Sequence, residues 1–162
     1  MNKVRHELKP IYNNNSKILI LGTIPSVKSR EIGFYYSHPQ NRFWTVLADI
    51  FNEIVPVTIE EKKSFVIRHN IALWDVLKEC DIDNSSDSSI KNPVVNDINL
   101  IIENSNIKAI FTTGKKATDL YNKYCFLNTN IKCIYLPSTS PDNCSINYDK
   151  LKKKYKEILN YL

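Results

Sequence analysis

Three side chains close together in the chain have the chemistry to act on an organic ligand: Tyr36, His38 and Asn41, in the run Phe34-Tyr35-Tyr36-Ser37-His38-Pro39-Gln40-Asn41-Arg42-Phe43-Trp44. A tyrosine can stack on a planar ring. The imidazole of His38 can assist a proton transfer. The carboxamide of Asn41 can orient a water without being a strong base. Each also has a plainer use: Tyr36 as a half-buried core residue, His38 as a structural donor in the first turn of a helix (the use we favour), and Asn41 as a helix cap. A second group lies far along the chain, where Pro137-Ser138-Thr139-Ser140-Pro141 offers hydroxyls and backbone N–H groups of the kind that hold phosphates. A plain loop between two prolines would read the same. Gly114-Lys115-Lys116, at a helix start, is a further phosphate candidate or simply a pair of solvated lysines.

Hydrophobic patterning supplies the elements that would hold these groups. Lys17 to Gly22 reads as a buried strand around Ile18-Leu19-Ile20-Leu21, a continuous apolar run of the kind parallel sheets use. It ends in the turn Gly22-Thr23-Ile24-Pro25-Ser26. A helix is expected from about Pro39 to Phe51, since proline suits a first helical position, and either Ser37 or His38 would cap it. Its core face would be Phe43, Trp44, Leu47, Ile50 and Phe51. Thr58-Ile59-Glu60-Glu61 is a capping-box start for a second helix reaching about His69, with Asn70 as the stop.

Ile71 to Trp74 reads as the next strand, ending at Asp75, and Ile107 to Phe111 and Ile131 to Leu136 as two more. Helices are expected at Asn96 to Glu103, Lys115 to Tyr124 and Asn147 to Leu162. The polar stretch from Cys80 to Asn92 reads as a loop able to fold over a site. Four strands alternating with helices predict an α/β fold, a three-layer α/β/α arrangement with a central four-stranded parallel sheet. In such sheets ligands bind beyond the carboxyl ends of the strands, where Gly22, Thr23, Asp75 and Ser138 would all lie.

Composition bounds the function. At 162 residues the chain is most simply one domain, spanning 1–162, with enough length for a full core. A net charge of +5, from 22 Lys+Arg against 17 Asp+Glu, permits a polyanionic partner without demanding one. Met1 to Pro10 is charged and has no apolar stretch, so no signal peptide is expected, and no apolar run approaches membrane-spanning length. The four cysteines, at 80, 125, 133 and 144, form no Cys-x-x-Cys and read as reduced thiols of a cytoplasmic protein. The common phosphate-binding motif Gly-x-x-x-x-Gly-Lys-Ser/Thr and the Gly-x-Ser-x-Gly elbow are both missing, which counts against the usual nucleotide-binding and α/β-hydrolase types.

Gly22-Thr23-Ile24-Pro25-Ser26 followed by Gly33-Phe34-Tyr35-Tyr36-Ser37-His38-Pro39-Gln40-Asn41-Arg42-Phe43-Trp44 resembles the first motif of the uracil-DNA glycosylase superfamily. It is most similar to the deoxyinosine (hypoxanthine) branch. The Pro137 to Pro141 loop resembles the second signature, which pinches the DNA backbone. Ala72-Leu73-Trp74-Asp75-Val76-Leu77 and Thr113-Gly114-Lys115-Lys116-Ala117 fall where the intermediate elements belong, so the resemblance covers roughly residues 15 to 145.

The resemblance implies a monofunctional DNA glycosylase that flips out a deaminated base, with no cofactor and no metal, acting on DNA as a monomer. It implies Asn41 as the catalytic residue, Tyr36 as the stacking residue, and Gly22, Thr23 and Asp75 around the base. Ser138, Thr139 and Ser140 would hold the DNA backbone. One departure is informative. The mismatch-uracil branch carries a water-positioning Asn in the turn after the first strand, where this chain has Ile24, which cannot hydrogen-bond a water. That favours a deaminated purine over uracil, and it also leaves room for a DNA-binding protein that kept the fold and lost catalysis.

For Asp75 the chemistry can be taken further. Hypoxanthine carries a proton on N1, whereas adenine presents a bare acceptor there. An ionised carboxylate only accepts, so it would take the N1 proton and repel adenine. Against this, a fixed negative charge opposes the anion developing on a departing base, and Asp75 would equally cap a turn of Val76-Leu77-Lys78-Glu79. Asn143, just after the serine loop, is a candidate to fill the gap left by a flipped base.

Overall fold

A computed structural model describes residues 2–162. In chain order the elements are β1 (Asn2–Arg5), β2 (Ile18–Gly22), α1 (Val27–Ile32), α2 (Phe43–Ile50), α3 (Ile59–Arg68), β3 (Ile71–Asp75), β4 (Leu77–Ile82), β5 (Lys91–Val95), α4 (Asn99–Glu103), β6 (Ala109–Thr113), α5 (Lys115–Tyr124), α6 (Phe126–Thr129), β7 (Cys133–Leu136) and α7 (Tyr148–Tyr155).

The expected four-stranded parallel sheet is present, in the order β3-β2-β6-β7. Strands β2, β3 and β6 are buried along their whole length, which is why they carry unbroken apolar runs rather than alternation. The chain leaves β2 first towards β3 on one side and later reaches β6 on the other. That reversal opens a crevice at the carboxyl ends of β2 and β6. Helix α3 packs on β3, α5 on β6 and β7, and α2 against α7.

A second, antiparallel sheet of order β1-β4-β5 was not expected from the sequence. It changes two readings and adds a strand where none was expected. The stretch from Cys80 to Asn92 is loop only in its middle, because β4 runs on to Ile82 and β5 starts at Lys91. Val76-Leu77-Lys78-Glu79 is not a turn for Asp75 to cap, since Leu77 already begins β4. Asn2 to Arg5 form an edge strand, with Asn2 opposite Ile82 and Arg5 opposite Glu79.

Helix α2 begins at Phe43 rather than Pro39. The N–H groups that would enter the helix are committed elsewhere: Asn41 N–H goes to His38 O at 2.9 Å and Arg42 N–H to Thr139 O at 3.1 Å. Pro39 therefore sits at the second position of a His38–Asn41 turn, a place that its fixed φ suits equally well. Neither Ser37 nor His38 caps α2. The apolar face is otherwise as expected, with Phe43, Trp44, Leu47 and Ile50 buried.

The capping-box start is also found: Thr58 Oγ1 accepts Glu61 N–H at 3.1 Å, and Asn70, at φ +60°, ends the segment after α3. The last helix is α-helical only to Tyr155 and then tightens to a 3₁₀ turn through Tyr161.

Candidate active site

An open cleft of about 900 Å³ lies at the crevice. Gly22 and Thr23 line it from the end of β2, Asp75 from the end of β3 and Thr113 from the end of β6. Ser138 and Ser140 come from the loop after β7, and Tyr36, His38 and Asn41 from the turn before α2. Residues dispersed from 22 to 140 thus face one space. The middle of the polar loop, Asp83 to Ser88, forms another wall, so the stretch expected to fold over a site does so. It is tied down at Ser85 Oγ, which accepts Val27 N–H at 3.1 Å.

Tyr36 is held in a single pose. Its ring lies on Phe43 with centroids 3.7 Å apart and an interplanar angle of 13°, and its φ is +53°. Tyr36 OH donates to Thr113 Oγ1 at 3.4 Å, which in turn donates to Leu21 O at 3.4 Å. Burial, and then the negative charge of Asp75, raise the phenol above the ordinary tyrosine range, so Tyr36 stays neutral. The neighbouring corner is fixed by Trp44 Nε1–H, which donates to Tyr35 O at 3.1 Å.

Asn41 proves to be both a cap and a cleft residue. Its Oδ1 accepts Phe43 N–H at 2.9 Å and satisfies one of the orphan donors of α2. That bond requires the oxygen, so it fixes the orientation of the carboxamide. One Oδ1 lone pair and the Nδ2 amino group are left for the cleft. His38 is structural, as favoured, but as an acceptor rather than a donor: its Nδ1 takes Gln40 N–H at 3.1 Å.

The serine loop is locked to the start of α2. Arg42 donates through Nη1 to Ile146 O at 2.9 Å and through Nη2 to Asn143 O at 3.0 Å, in addition to its backbone bond with Thr139. Tyr155 OH holds the other end at Pro137 O, 2.7 Å away. Within the loop, Ser138 Oγ accepts Ser140 N–H and Ser140 Oγ accepts Asp142 N–H, which leaves each hydroxyl proton to donate outward. Two expectations change here. Thr139 is 1% exposed, so what it can offer a DNA backbone is main chain, not hydroxyl. Asn143, the candidate for filling a gap in DNA, spends its amide on Ser138 O at 2.9 Å and is a staple of the loop.

Asp75 is buried, with Oδ2 2.8 Å from Nε2 of His6. Its backbone is fixed by Asn96, whose amide donates to Asp75 O at 2.9 Å and Leu77 O at 3.2 Å. Oδ1 lies over Gly22, only 2.5 Å from where a Cβ would stand. Gly22 is thus needed for close approach and not for an unusual φ. Sequence reasoning missed two residues of this cluster, Asn96 and His6. A lone histidine in a charged opening segment gives no signal, because its partner is brought to it by pairing between strands distant in the chain.

The chain that carries this site has known relatives. Residues 10–162 match the family model described as the uracil DNA glycosylase superfamily. The chain belongs to that superfamily. Two relatives are hypoxanthine DNA glycosylases of the genus Methanosarcina. That of M. barkeri is 32% identical over 110 residues, 67% of this chain and 70% of that protein, and that of M. acetivorans 33% identical over 116 residues, 70% and 73%. A solution NMR structure of a candidate uracil DNA glycosylase from M. acetivorans superimposes with a TM-score of 0.79 at 26% identity, covering 96% of this chain and 98% of the other. As a superfamily member with these relatives the protein is a DNA glycosylase, an enzyme of DNA repair whose substrate is DNA. No helix among the described residues is long and apolar enough to cross a membrane.

For this glycosylase the charge around the cleft is informative. Asp75, Asp83, Asp87 and Asp142 line it, and no lysine or arginine among the described residues does. Within the cleft, phosphate oxygens would have to be met by neutral donors, which is what Ser138, Ser140 and the loop backbone offer. Replacing both serines by alanine is expected to weaken inosine-containing and ordinary duplexes by similar factors. It should leave the slope of log affinity against log salt, set by cationic contacts elsewhere, nearly unchanged. Fluorescence anisotropy titrations at several salt concentrations measure both. A loss confined to one sequence context would mean that the loop reads bases.

Proposed function

We propose that this glycosylase removes hypoxanthine from deoxyinosine in DNA by water-mediated hydrolysis of the N-glycosidic bond. The observation that carries the reading is the placement of Asp75. Its Oδ2 is taken by His6, while Oδ1 carries no protein hydrogen bond among the described residues and borders the cleft. A carboxylate oxygen left free at the wall of this cleft accepts a ring N–H and rejects a ring nitrogen that presents a lone pair. Hypoxanthine offers N1–H there, whereas adenine does not. Guanine shares the N1–H, but a well-paired base is the most costly to flip, and hypoxanthine is favoured by its weaker pairing. The names of the two Methanosarcina relatives support the same substrate.

In this reading the flipped base lies on the face of Tyr36 that is not against Phe43, with its polar edge near Gly22, Thr23 and Asp75. Asn41 accepts a hydrogen bond from the attacking water on the remaining lone pair of Oδ1 and so orients it, without taking its proton. The water oxygen bonds to C1′ as the C1′–N9 bond breaks. The bonding pair leaves with the base, which gains a proton to depart as neutral hypoxanthine, and the water gives up one proton to leave a hydroxyl on C1′. The negative charge of Asp75 opposes the charge growing on the base, so discrimination comes at some expense in rate. Ser138 and Ser140 hold flanking phosphates.

The test is single-turnover cleavage of duplexes carrying inosine, uracil, xanthine or a normal base. Inosine should be released fastest, and Asp75→Asn, which can present a donor to N1, should lower the preference for inosine over adenine in binding by at least about tenfold. Faster release of uracil, or an unchanged preference in Asp75→Asn, would overturn the reading.

A further inference from the structure

His6 lies outside residues 10–162, the span matched by the family model, yet among the described residues it makes the one hydrogen bond to the Asp75 carboxylate. Its side chain is fully buried and that of Asp75 is 4% exposed. The tautomer can be worked out. Leu8 N–H is an obligate donor and lies 3.0 Å from Nδ1, so Nδ1 carries the lone pair. The proton must then be on Nε2, where it donates to Asp75 Oδ2 at 2.8 Å. Both ring nitrogens are satisfied, and the imidazole is a neutral donor with a fixed direction.

The opening segment delivers this ring by several independent ties. Strand β1 pairs with β4, and His6 N–H donates to Lys78 O at 2.6 Å. Tyr35 OH donates to Lys9 O at 2.8 Å, and the His6 ring stands edge-on to Tyr35 with centroids 6.1 Å apart. Ile11 bridges to Leu73 in both directions, at 3.0 and 2.9 Å. A ring held this firmly can hold something else.

What it holds is the carboxylate plane. With Oδ2 on His6, the carboxylate can turn only by breaking that bond, and Oδ1 is then set against Gly22 with its free lone pair at the cleft. Without the His6 donor, Oδ2 would be a buried acceptor with no partner, and the group would rotate to relieve it. That rotation costs the acceptor that reads the base.

We infer that His6 is a positioning residue for base discrimination: it fixes Asp75 as a single, cleft-facing hydrogen-bond acceptor. This rests on the assignment of Asp75 as the base reader. The arrangement makes the N-terminal strand part of the specificity machinery, although that strand supplies no lining residue to the cleft.

The experiment compares wild type, His6→Ala, His6→Gln and Asp75→Asn. The readout is binding to duplexes carrying 2′-fluoro-2′-deoxyinosine or 2′-fluoro-2′-deoxyadenosine, which resist cleavage, with Tm measured alongside. His6→Ala should lower the inosine-to-adenine affinity ratio by at least about tenfold, the scale of one hydrogen bond to a charged group. His6→Gln, whose amide can donate to Oδ2, should recover most of it even where Tm is not restored. If both His6 variants lose Tm while the ratio holds, and Asp75→Asn still abolishes the ratio, His6 is merely structural and the inference fails while the reading of Asp75 stands. If Asp75→Asn also leaves the ratio unchanged, the base-reading role itself is wrong. Should His6→Ala fail to fold, the ¹⁵N shifts of the wild-type imidazole decide. They must show the Nε2–H tautomer, and an Nδ1–H form would overturn the inference.

Discussion

Replacing Asn41 by alanine is expected to slow single-turnover base release by roughly 100-fold or more, the scale of losing one positioned transition-state contact. Substrate binding should change far less, because stacking and phosphate contacts are untouched. The same substitution removes the acceptor for Phe43 N–H, so stability should also fall, by about 0.5–2 kcal/mol as for other lost caps. The two effects can be separated. Asn41→Asp keeps an oxygen for the cap and an oxygen for the water, and it is expected to hold Tm and to retain more rate than Asn41→Ala. Rapid-quench kinetics under enzyme excess, with thermal melts of each variant, give both numbers. Near-normal cleavage by folded Asn41→Ala would remove Asn41 from the mechanism.

The dual use of Asn41 shows how far the sequence could be read. Its position pointed to a helix cap or to a water-orienting group, and the fold makes these two compatible. The cap uses one lone pair of Oδ1 and the cleft receives the rest. The parallel sheet was legible because buried strands such as Ile18-Leu19-Ile20-Leu21 need continuous apolar runs, and helix α5 because Gly114 and a clear apolar stripe bound it. Helix α1 has local signals at both ends: Ser26 accepts Ser29 N–H at its start, and Gly33, at φ +86°, closes its end.

The small antiparallel sheet was harder. In β4 only Leu77, Cys80 and Ile82 are fully buried, and β5 has no fully buried residue, so neither shows the period of a strong strand. Their pairing is set by neighbours far away in sequence. The same holds for His6 and Asp75, whose hydrogen bond spans 69 positions and has no local signature. What local chemistry announces, then, is the ligand-facing half of this site. The half that holds it rigid comes from long-range pairing.

Gly22→Ala tests that rigidity most sharply. At a strand position with ordinary φ, alanine in place of glycine normally stabilises by lowering the entropy of the unfolded chain, by roughly 0.5–1 kcal/mol. Here the added Cβ would stand 2.5 Å from Asp75 Oδ1 and 3.2 Å from Tyr36 OH. The carboxylate cannot yield freely, because its other oxygen is bonded to His6 and its backbone to Asn96. Overpacking of about 1–3 kcal/mol should therefore exceed the entropic gain, and the protein should melt at a lower temperature. Activity should fall more steeply, by roughly 100-fold, since a displacement near 1 Å at a reacting group has that effect.

The cause can be isolated by a double substitution. Asp75→Ala removes the atom that the new methyl meets, so Gly22→Ala should be much less destabilising in an Asp75→Ala background than in wild type. Contacting residues show such coupling, whereas distant ones are additive to within about 0.3–0.5 kcal/mol. Additive melting data for the pair, or a Gly22→Ala enzyme as stable and active as wild type, would show that Gly22 and Asp75 are not in contact and that the carboxylate is not held where the base-reading mechanism requires it.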